Sequence, residues 1–281
     1  MGLAIRPIVA ENLRAATEFL AEHLGGIGGP SRYERILNPR WAGERPNHGF
    51  ALQDEAGIHG VLGLVYSERR IKGERFKFCN MSSWCVVDAH RRSSLLLLRA
   101  MADQPGYVFT NFSPTPTVAT VLERTGFQRL DVGKYLMFPP MRTSQNRAVR
   151  VVERPAEVRE YLAPDELKIY EDHAHYKTGQ FVIDTGRERC YVVTVKRGKR
   201  GIYFADVLHA SRPRVLAQNL GSLFWPALRR HGTLALGVDT RLISAAPSIV
   251  PFMPRPSFFM SDSIQPDQLS SIYTEIVSIY G

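Results

Sequence analysis

The sequence predicts an α/β protein of the mixed-sheet (α+β) kind, with two lobes in which a mixed, mostly antiparallel sheet is flanked by helices. Three observations support this prediction. Short apolar runs alternate with turn residues, helix-length segments separate the later runs, and one order of elements occurs in both halves of the chain.

In the first half, two hairpin-linked strands precede a longer third strand, and helices then alternate with strands. Pro139 and Pro140 end this lobe, because proline cannot donate a hydrogen bond to a strand ladder. The predicted elements are strands at 50–52, 61–66 and 76–87, a helix from 95, a strand at 107–112, a helix from about 115 and a last strand at 135–138.

The second half repeats the order strand, turn, strand, helix, strand. Its predicted elements are a helix at 165–176, strands at 190–195 and 202–208, a helix at about 214–230 and a strand at 233–238. We therefore assign residues 1–141 to an N-terminal lobe, 142–147 to a polar linker and 148–281 to a C-terminal lobe.

The composition is that of a globular protein with a sizeable core. The chain has 281 residues, of which 44% are hydrophobic and 22% are charged. No apolar run approaches the roughly 20 residues of a membrane span, and no signal-peptide core follows the N-terminus, so we expect a cytoplasmic protein without a membrane span. The net charge of +9 is spread evenly over both halves, which argues against nucleic acid as a partner.

The most informative segment lies between Trp84 and Phe127. An apolar run at 84–87 passes through a turn with paired arginines, at 88–94, into an apolar helix, and a second strand and helix follow. A strand that turns through arginines into a helix start directs backbone N–H groups and positive charge at one spot. This order predicts a phosphate-binding turn.

These residues resemble the GNAT acyltransferases, which use acyl-coenzyme A. In that family a strand ending in Val-x-Pro-x-x-Arg-Gly-x-Gly-x-Gly/Ala runs into a helix, and the turn holds the coenzyme pyrophosphate. Val86 takes the valine place, Asp88 the proline place and Arg91 the arginine place, and Gly126-Phe127 closes the second helix as in the family. The resemblance implies a tandem GNAT-like protein, in which lobe 1–141 binds acyl-CoA and lobe 148–281, without such a turn, shapes the acceptor site.

The chain also departs from the family pattern. Arg92, Ser94 and Leu96 replace the loop glycines, and Leu122 replaces the tyrosine that often protonates the leaving thiolate. Glycine lets a backbone approach a phosphate closely, so these replacements weaken the prediction of ordinary acetyl-CoA chemistry.

The resemblance places the candidate site residues along this strand and turn. A backbone N–H at the end of the strand, at 85–87, would polarise the thioester carbonyl. The amides at 92–95 and the two arginine side chains would hold the pyrophosphate. The candidate cofactor-binding residues are Val86, Val87, Arg91, Arg92, Ser93, Ser94 and Leu95, and the candidate catalytic residues are Ser83, Cys85 and His90.

Other chemistry is less well supported by the sequence. His173 and His175, at i and i+2, share no helical face and have no third ligand at a recognisable spacing, so we predict no metal. Cys85 has apolar neighbours, which raise the pKa of a thiol, and no recognisable basic partner. We therefore expect direct transfer rather than an acyl-enzyme.

The sequence leaves three functions open. The first is transfer of an acetyl or other acyl group from coenzyme A to a small amine-bearing acceptor, and the positive net charge argues for an acidic or neutral acceptor. The second is aminoacyl-tRNA-dependent transfer of the peptidoglycan-bridge type, and the third is a non-catalytic GNAT-like binding protein. The acceptor, the general base and acid, and the oligomeric state stay open.

Overall fold

The computed structural model describes residues 2–41, 43–71, 73–139, 148–199, 201–243, 250–261 and 263–281. The predicted linker 142–147 lies outside these residues. The chain divides into two compact units. Unit 1 comprises Met1–Leu130, Ser257–Gln268 and Tyr273–Ile279, and unit 2 comprises Asp131–Pro256, Leu269–Ile272 and Tyr280–Gly281.

This division differs from the predicted lobes 1–141 and 148–281. The strand expected at 135–138 to end the first lobe belongs to unit 2, and part of the C-terminal region returns to unit 1. Pairing between segments distant in sequence leaves no local pattern, so this return could not be predicted from hydrophobic periodicity. The two predicted lobes, as separate domains, stay a prediction.

The elements of the first part of the chain follow the predicted order. They are β1 (Ala4–Pro7), α1 (Leu13–Leu24), α2 (Gly29–Leu37), β2 (Gly49–Asp54), β3 (Gly57–Ile71), β4 (Glu74–Val86), α3 (Ser94–Ala102), β5 (Tyr107–Asn111) and α4 (Pro116–Arg124). A 3₁₀ turn, Asp88–Ser93, joins β4 to α3. Local chemistry sets the start of α4, because Pro116 stands in its first turn and the Thr115 hydroxyl accepts a hydrogen bond from the Val118 N–H at 3.3 Å.

The remaining elements begin at residue 128. They are β6 (Gln128–Met137), β7 (Arg150–Val152), α5 (Pro155–Tyr161), α6 (Pro164–His173), β8 (Gly179–Asp184), β9 (Arg189–Lys199), β10 (Ile202–Ala210), α7 (Pro213–Gln218), α8 (Leu220–His231), β11 (Ala235–Asp239), β12 (Val250–Met260) and α9 (Glu275–Tyr280). Among the described residues, no helix is long and apolar enough to cross a membrane.

The strands of unit 1 form a mixed sheet in the order β1-β2-β3-β4-β5, and the end of β12 pairs with β5. The β4–β5 pair is parallel and the other pairs are antiparallel. Helices α3 and α4 bury their apolar side chains against one face of this sheet, where Leu97, Met101 and Leu122 are fully buried. Helices α1 and α2 pack against β3.

Unit 2 repeats this plan in the order β7-β8-β9-β10-β11-β6. Here β10 and β11 form the parallel pair, and α7 and α8 connect them, as α3 connects β4 to β5. The core of the unit packs α8 residues such as Phe224 and Leu228 against β8, β9 and β10. Two mixed, mostly antiparallel sheets flanked by helices confirm the predicted fold class.

Candidate functional site

The two parallel strands of unit 1 separate partway along their length. Strand β4 pairs with β5 from Lys77 to Asn80, and the last partners are Asn80 and Thr110. Beyond Asn80, β4 continues to Val86 paired only with β3, while β5 ends at Asn111. One edge of β4 between 81 and 86 therefore faces an opening, which we call the β4–β5 gap.

A β-bulge lies at the start of this open edge. Leu64 pairs with Met81 and Leu62 pairs with Trp84, so β4 has one residue more than β3 between these pairs. The extra length falls at Ser82 and Ser83, whose hydroxyl oxygens are 3.5 Å apart. Bulges bend a strand and often lie next to functional sites, and this one bends β4 where it leaves β5.

The pleat of β4 determines which backbone groups face the gap. The Val87 N–H donates to the His59 carbonyl at 2.9 Å, so Val87 is a hydrogen-bonded partner of β3. Because such pairs alternate in an antiparallel ladder, Cys85 also directs its N–H at β3, and Val86 directs its N–H at the gap. We predicted that an amide at 85–87 polarises the thioester carbonyl. Among these three amides, that of Val86 faces the gap.

The predicted phosphate turn is a 3₁₀ helix that leads directly into α3. The Ser94 N–H donates to the Arg91 carbonyl, so this amide is used within the turn. The prediction that the amides at 92–95 hold the pyrophosphate stays a prediction. Arg92 and Leu95 are exposed, while Ser93 is half-buried. The side chains of the turn, rather than all its amides, are thus available to an anion.

Arg91 lies at the junction of the turn and the strand end. Its side chain is 74% exposed and pairs with Asp88 three residues earlier in the turn. Burial raises the pKa of the Cys85 thiol. The nearby positive charge of Arg91 lowers this pKa and so offsets part of the effect of burial. Cys85 is therefore a protonated thiol near neutral pH, which makes it a poor nucleophile.

The candidate base His90 lies on the far side of β4 from the gap. Its ring packs against the ring of His59 on β3, with centroids 4.3 Å apart. His59 in turn bonds Asp54 through Nε2 at 2.7 Å, and this contact is the main cause that lowers the pKa of Asp54. Because β3 and β5 flank β4 on opposite edges, the structure separates His90 from the β4–β5 gap.

A carboxylate that the sequence analysis missed bridges the gap at its closed end. Glu275 is 5% exposed. Its Oε2 accepts a hydrogen bond from Asn80 Nδ2 on β4 at 2.7 Å, and its Oε1 accepts one from the Ser113 hydroxyl beyond the end of β5. Thr110 donates to Asn80 Oδ1 at 3.1 Å, which fixes the amide orientation that gives Nδ2 to Glu275. No local motif marks Glu275, because its partners lie more than 150 residues away in sequence.

The parallel strands β10 and β11 of unit 2 also separate partway along their length, but different side chains lie at the point where they separate. Asp206 is the last residue of β10 paired with β11, opposite Gly237, and β10 then has a bulge between Val207 and His209. Asp206 is fully buried and forms ion pairs with Lys134 Nζ and, at 2.8 Å, with Arg197 Nη1.

The described residues give no group of three or more metal-binding side chains. His173 is fully buried, and its two ring nitrogens lie 2.8 Å from the Ile169 carbonyl oxygen and 2.9 Å from that of Ile272. His175 is exposed. The two histidines therefore occupy different environments, because α6 ends at His173 and His175 lies in the turn that follows.

No family model matches the chain, and no curated protein matches it by sequence. Solved structures do match its fold. A GCN5-related N-acetyltransferase from Anabaena variabilis has a TM-score of 0.61 at 10% identity, over 92% of this chain and 72% of the other. A putative acetyltransferase from Pyrococcus horikoshii has a TM-score of 0.54 at 12% identity, over 100% and 93%.

A third match extends the range of acyl donors among these proteins. The Saccharomyces cerevisiae N-myristoyltransferase with bound myristoyl-CoA has a TM-score of 0.51 at 9% identity, over 96% of this chain and 83% of the other. These matches show that the chain shares its fold with the solved structures of acetyltransferases and of an N-myristoyltransferase.

Proposed function

We propose that the protein is an acyltransferase that moves an acetyl or longer acyl group from coenzyme A to a small amine-bearing acceptor. The observation on which this rests is the β4–β5 gap, with the inward N–H of Val86 at one side and the Arg91–Arg92 turn at its end. The likeness to acetyltransferases and to an N-myristoyltransferase supports the choice of an acyl-CoA donor.

In this proposal, the strand end and the turn bind two parts of the donor. The thioester carbonyl accepts a hydrogen bond from the Val86 N–H, which stabilises the negative charge that develops on the oxygen during attack. The guanidinium groups of Arg91 and Arg92 hold the pyrophosphate, since a planar guanidinium donates two hydrogen bonds to one phosphate. Val87, Ser93 and Leu95 complete the proposed binding segment.

The acyl group passes directly from the thioester to the acceptor. A covalent acyl-enzyme would need an activated nucleophile, whereas burial raises the pKa of Cys85. Ser83 lies in the bulge of β4, where its hydroxyl can hold the acceptor beside the carbonyl. Binding both substrates together supplies the orientation that a one-step transfer requires.

Thermal unfolding with added ligand tests this function. Acetyl-CoA and myristoyl-CoA are each added at about 1 mM, and pantetheine, which lacks the phosphates, is the control. A ligand bound only by the folded state at 100 times its Kd stabilises that state by about 2.7 kcal/mol. A rise in Tm with a thioester and none with pantetheine is the expected result.

Two other outcomes would reject the proposal in favour of the alternatives. If no acyl-CoA raises the Tm and the protein binds tRNA in a salt-sensitive way, aminoacyl-tRNA-dependent transfer takes its place. If an acyl-CoA binds but no thioester is consumed with any amine, a non-catalytic binding protein takes its place.

A further inference from the structure

We propose that Ser113 and Glu275 form the proton-transfer pair of this site, with Ser113 as the group that contacts the acceptor and Glu275 as the base behind it. This inference rests on the proposed acyl transfer. It assigns a chemical role to two residues that no motif in the sequence marks.

The position of the pair supports the assignment. The Glu275 carboxylate is bound from β4 by Asn80 and from the segment after β5 by Ser113, so it spans the point where the strands separate. The Ser113 N–H donates to Asn111 Oδ1 at 3.0 Å, which holds the serine at the end of β5. Both residues therefore lie at the closed end of the gap, while the Val86 N–H faces the same gap from β4.

The difference in exposure between the two residues suggests a relay. Glu275 is 5% exposed, whereas Ser113 is half-buried. A bound amine can therefore reach the hydroxyl more easily than the carboxylate. A serine hydroxyl both donates and accepts hydrogen bonds, so Ser113 can accept a proton from the amine while it gives its own to Glu275.

The proton that the amine loses reaches the leaving thiolate through Ser113 and Glu275. The amine nitrogen forms a bond to the acyl carbon, the carbon–sulfur bond breaks, and the coenzyme leaves as a thiolate. Ser113 takes the proton that the nitrogen loses and passes its own proton to Glu275 Oε1. The reverse transfer then delivers a proton to the thiolate sulfur, and both residues return to their first state.

The other candidates for this role are poorly placed or chemically unsuited. His90 lies over β3 against His59, and burial raises the pKa of the Cys85 thiol. Leu122, at the position where the family often has a tyrosine acid, is fully buried in the core between α4 and the sheet. Glu275 and Ser113 supply the function that these three positions do not.

The test compares wild-type protein with Glu275→Gln and Ser113→Ala in two measurements. The first is the rise in Tm with acetyl-CoA. The second is the release of free coenzyme thiol from acetyl-CoA, with water, glycine, glucosamine and spermidine as acceptors, over pH 5 to 9. Glutamine can accept from Asn80 and donate to the Ser113 hydroxyl, so Glu275→Gln preserves the hydrogen-bond pattern and removes the base.

We expect Glu275→Gln to keep the Tm rise and to lower kcat by about 10²-fold or more, the usual effect of losing a general base. The pH profile of kcat should differ between this variant and the wild-type protein, because glutamine cannot act as a general base. Ser278→Ala is the matched control, because Ser278 lies in the same helix and its buried hydroxyl has no hydrogen-bond partner among the described residues. It should leave kcat and the pH profile unchanged.

The outcomes separate this inference from the function on which it rests. No Tm rise in the wild-type protein with any acyl-CoA contradicts the proposed function itself. A Tm rise together with turnover that Glu275→Gln leaves unchanged contradicts only the proton-transfer pair. A wild-type protein that binds acetyl-CoA but releases no thiol with any of the four acceptors also overturns a catalytic role for the pair.

Discussion

Asn80 and Asp206 occupy equivalent places in the two units. Each is the last residue of its strand that pairs with the parallel neighbour, and a bulge follows within three residues. The side chains that close the two gaps differ in charge. Asn80 is neutral and bonds the carboxylate of Glu275, whereas Asp206 is itself the carboxylate and forms ion pairs with Lys134 and Arg197.

This difference is consistent with the proposal that unit 1 binds the acyl donor. In unit 2, Lys134 and Arg197 lie where strands β10 and β11 separate, and the short turn after β10, which leads to α7 at Pro213, has no two adjacent arginines. In unit 1 the strand end leads to Arg91 and Arg92. The proposed site for a phosphate-bearing donor is therefore the arginine turn of unit 1.

The first prediction concerns the arginine turn. The double change of Arg91→Gln and Arg92→Gln should weaken acetyl-CoA binding by about 10² -fold, because a hydrogen bond to a charged group contributes roughly 1.5–3 kcal/mol. Isothermal titration calorimetry measures the change in Kd. Arg99→Gln is the control, since Arg99 lies on α3, is 79% exposed and pairs with Asp103. Equal Kd values for the double variant and the control would show that the turn does not hold the donor.

Much of this arrangement could be predicted from sequence, because it depends on local patterns. Apolar runs, the Pro116 helix start and the Arg91–Arg92 turn are each readable within about ten residues. The role of Val86 as the inward amide required the register of β4 against β3. Glu275 could be identified only from the structure, because the C-terminal segment returns to unit 1. Hydrophobic periodicity does not indicate contacts between residues so distant in sequence.

The second prediction concerns the ion-paired carboxylate of unit 2. Asp206→Asn should lower the free energy of unfolding by about 3 kcal/mol, because removing one partner leaves buried charges uncompensated. Lys134 and Arg197 keep 20% and 19% of their side chains exposed, which holds the loss at the lower end of the usual range. Urea unfolding measures the difference.

Asp88→Asn provides the comparison for this loss. Asp88 pairs with Arg91 at the surface, and an exposed pair of this kind contributes at most about 1 kcal/mol. If Asp206→Asn lowers the free energy of unfolding no more than Asp88→Asn does, the ion pairs of Asp206 do not stabilise unit 2.

The third prediction uses two glycines with the same backbone conformation and different surroundings. Gly49 and Gly57 have φ of 129° and 130°, a region that favours glycine. A Cβ at position 49 would lie 2.2 Å from the Leu62 carbonyl oxygen, whereas one at position 57 would meet nothing within 4 Å. Gly57→Ala should therefore cost about 1–2 kcal/mol for the backbone alone.

Gly49→Ala should cost clearly more, because the Leu62 carbonyl belongs to the β2–β3 ladder and cannot move without breaking it. Thermal unfolding of both variants gives the comparison. Equal decreases in Tm would show that β3 accommodates the methyl group and that close packing at Gly49 does not restrict the residue there.

The fourth prediction is a pH dependence of stability that originates at His231. Burial is the main cause that lowers the pKa of His231 from 6.5 to about 4, and the charges of Arg230 and Lys196 add to it. Its Nε2 lies 2.8 Å from the Thr194 hydroxyl oxygen, within hydrogen-bond distance. The unfolded chain therefore binds a proton more readily than the folded one between pH 6.5 and 4, and stability should fall as the pH decreases through this range.

His231→Gln isolates this effect, because the glutamine amide can form a hydrogen bond with the Thr194 hydroxyl and does not titrate. The stability difference between wild type and variant should shift by about 2 kcal/mol in favour of the variant between pH 7.5 and pH 5, given the linkage between pKa and folding. Urea unfolding at the two pH values measures this shift. A difference that does not change with pH would mean that the ring takes up its proton in the folded state as easily as in the unfolded chain, and that burial at the end of α8 leaves its pKa unaffected.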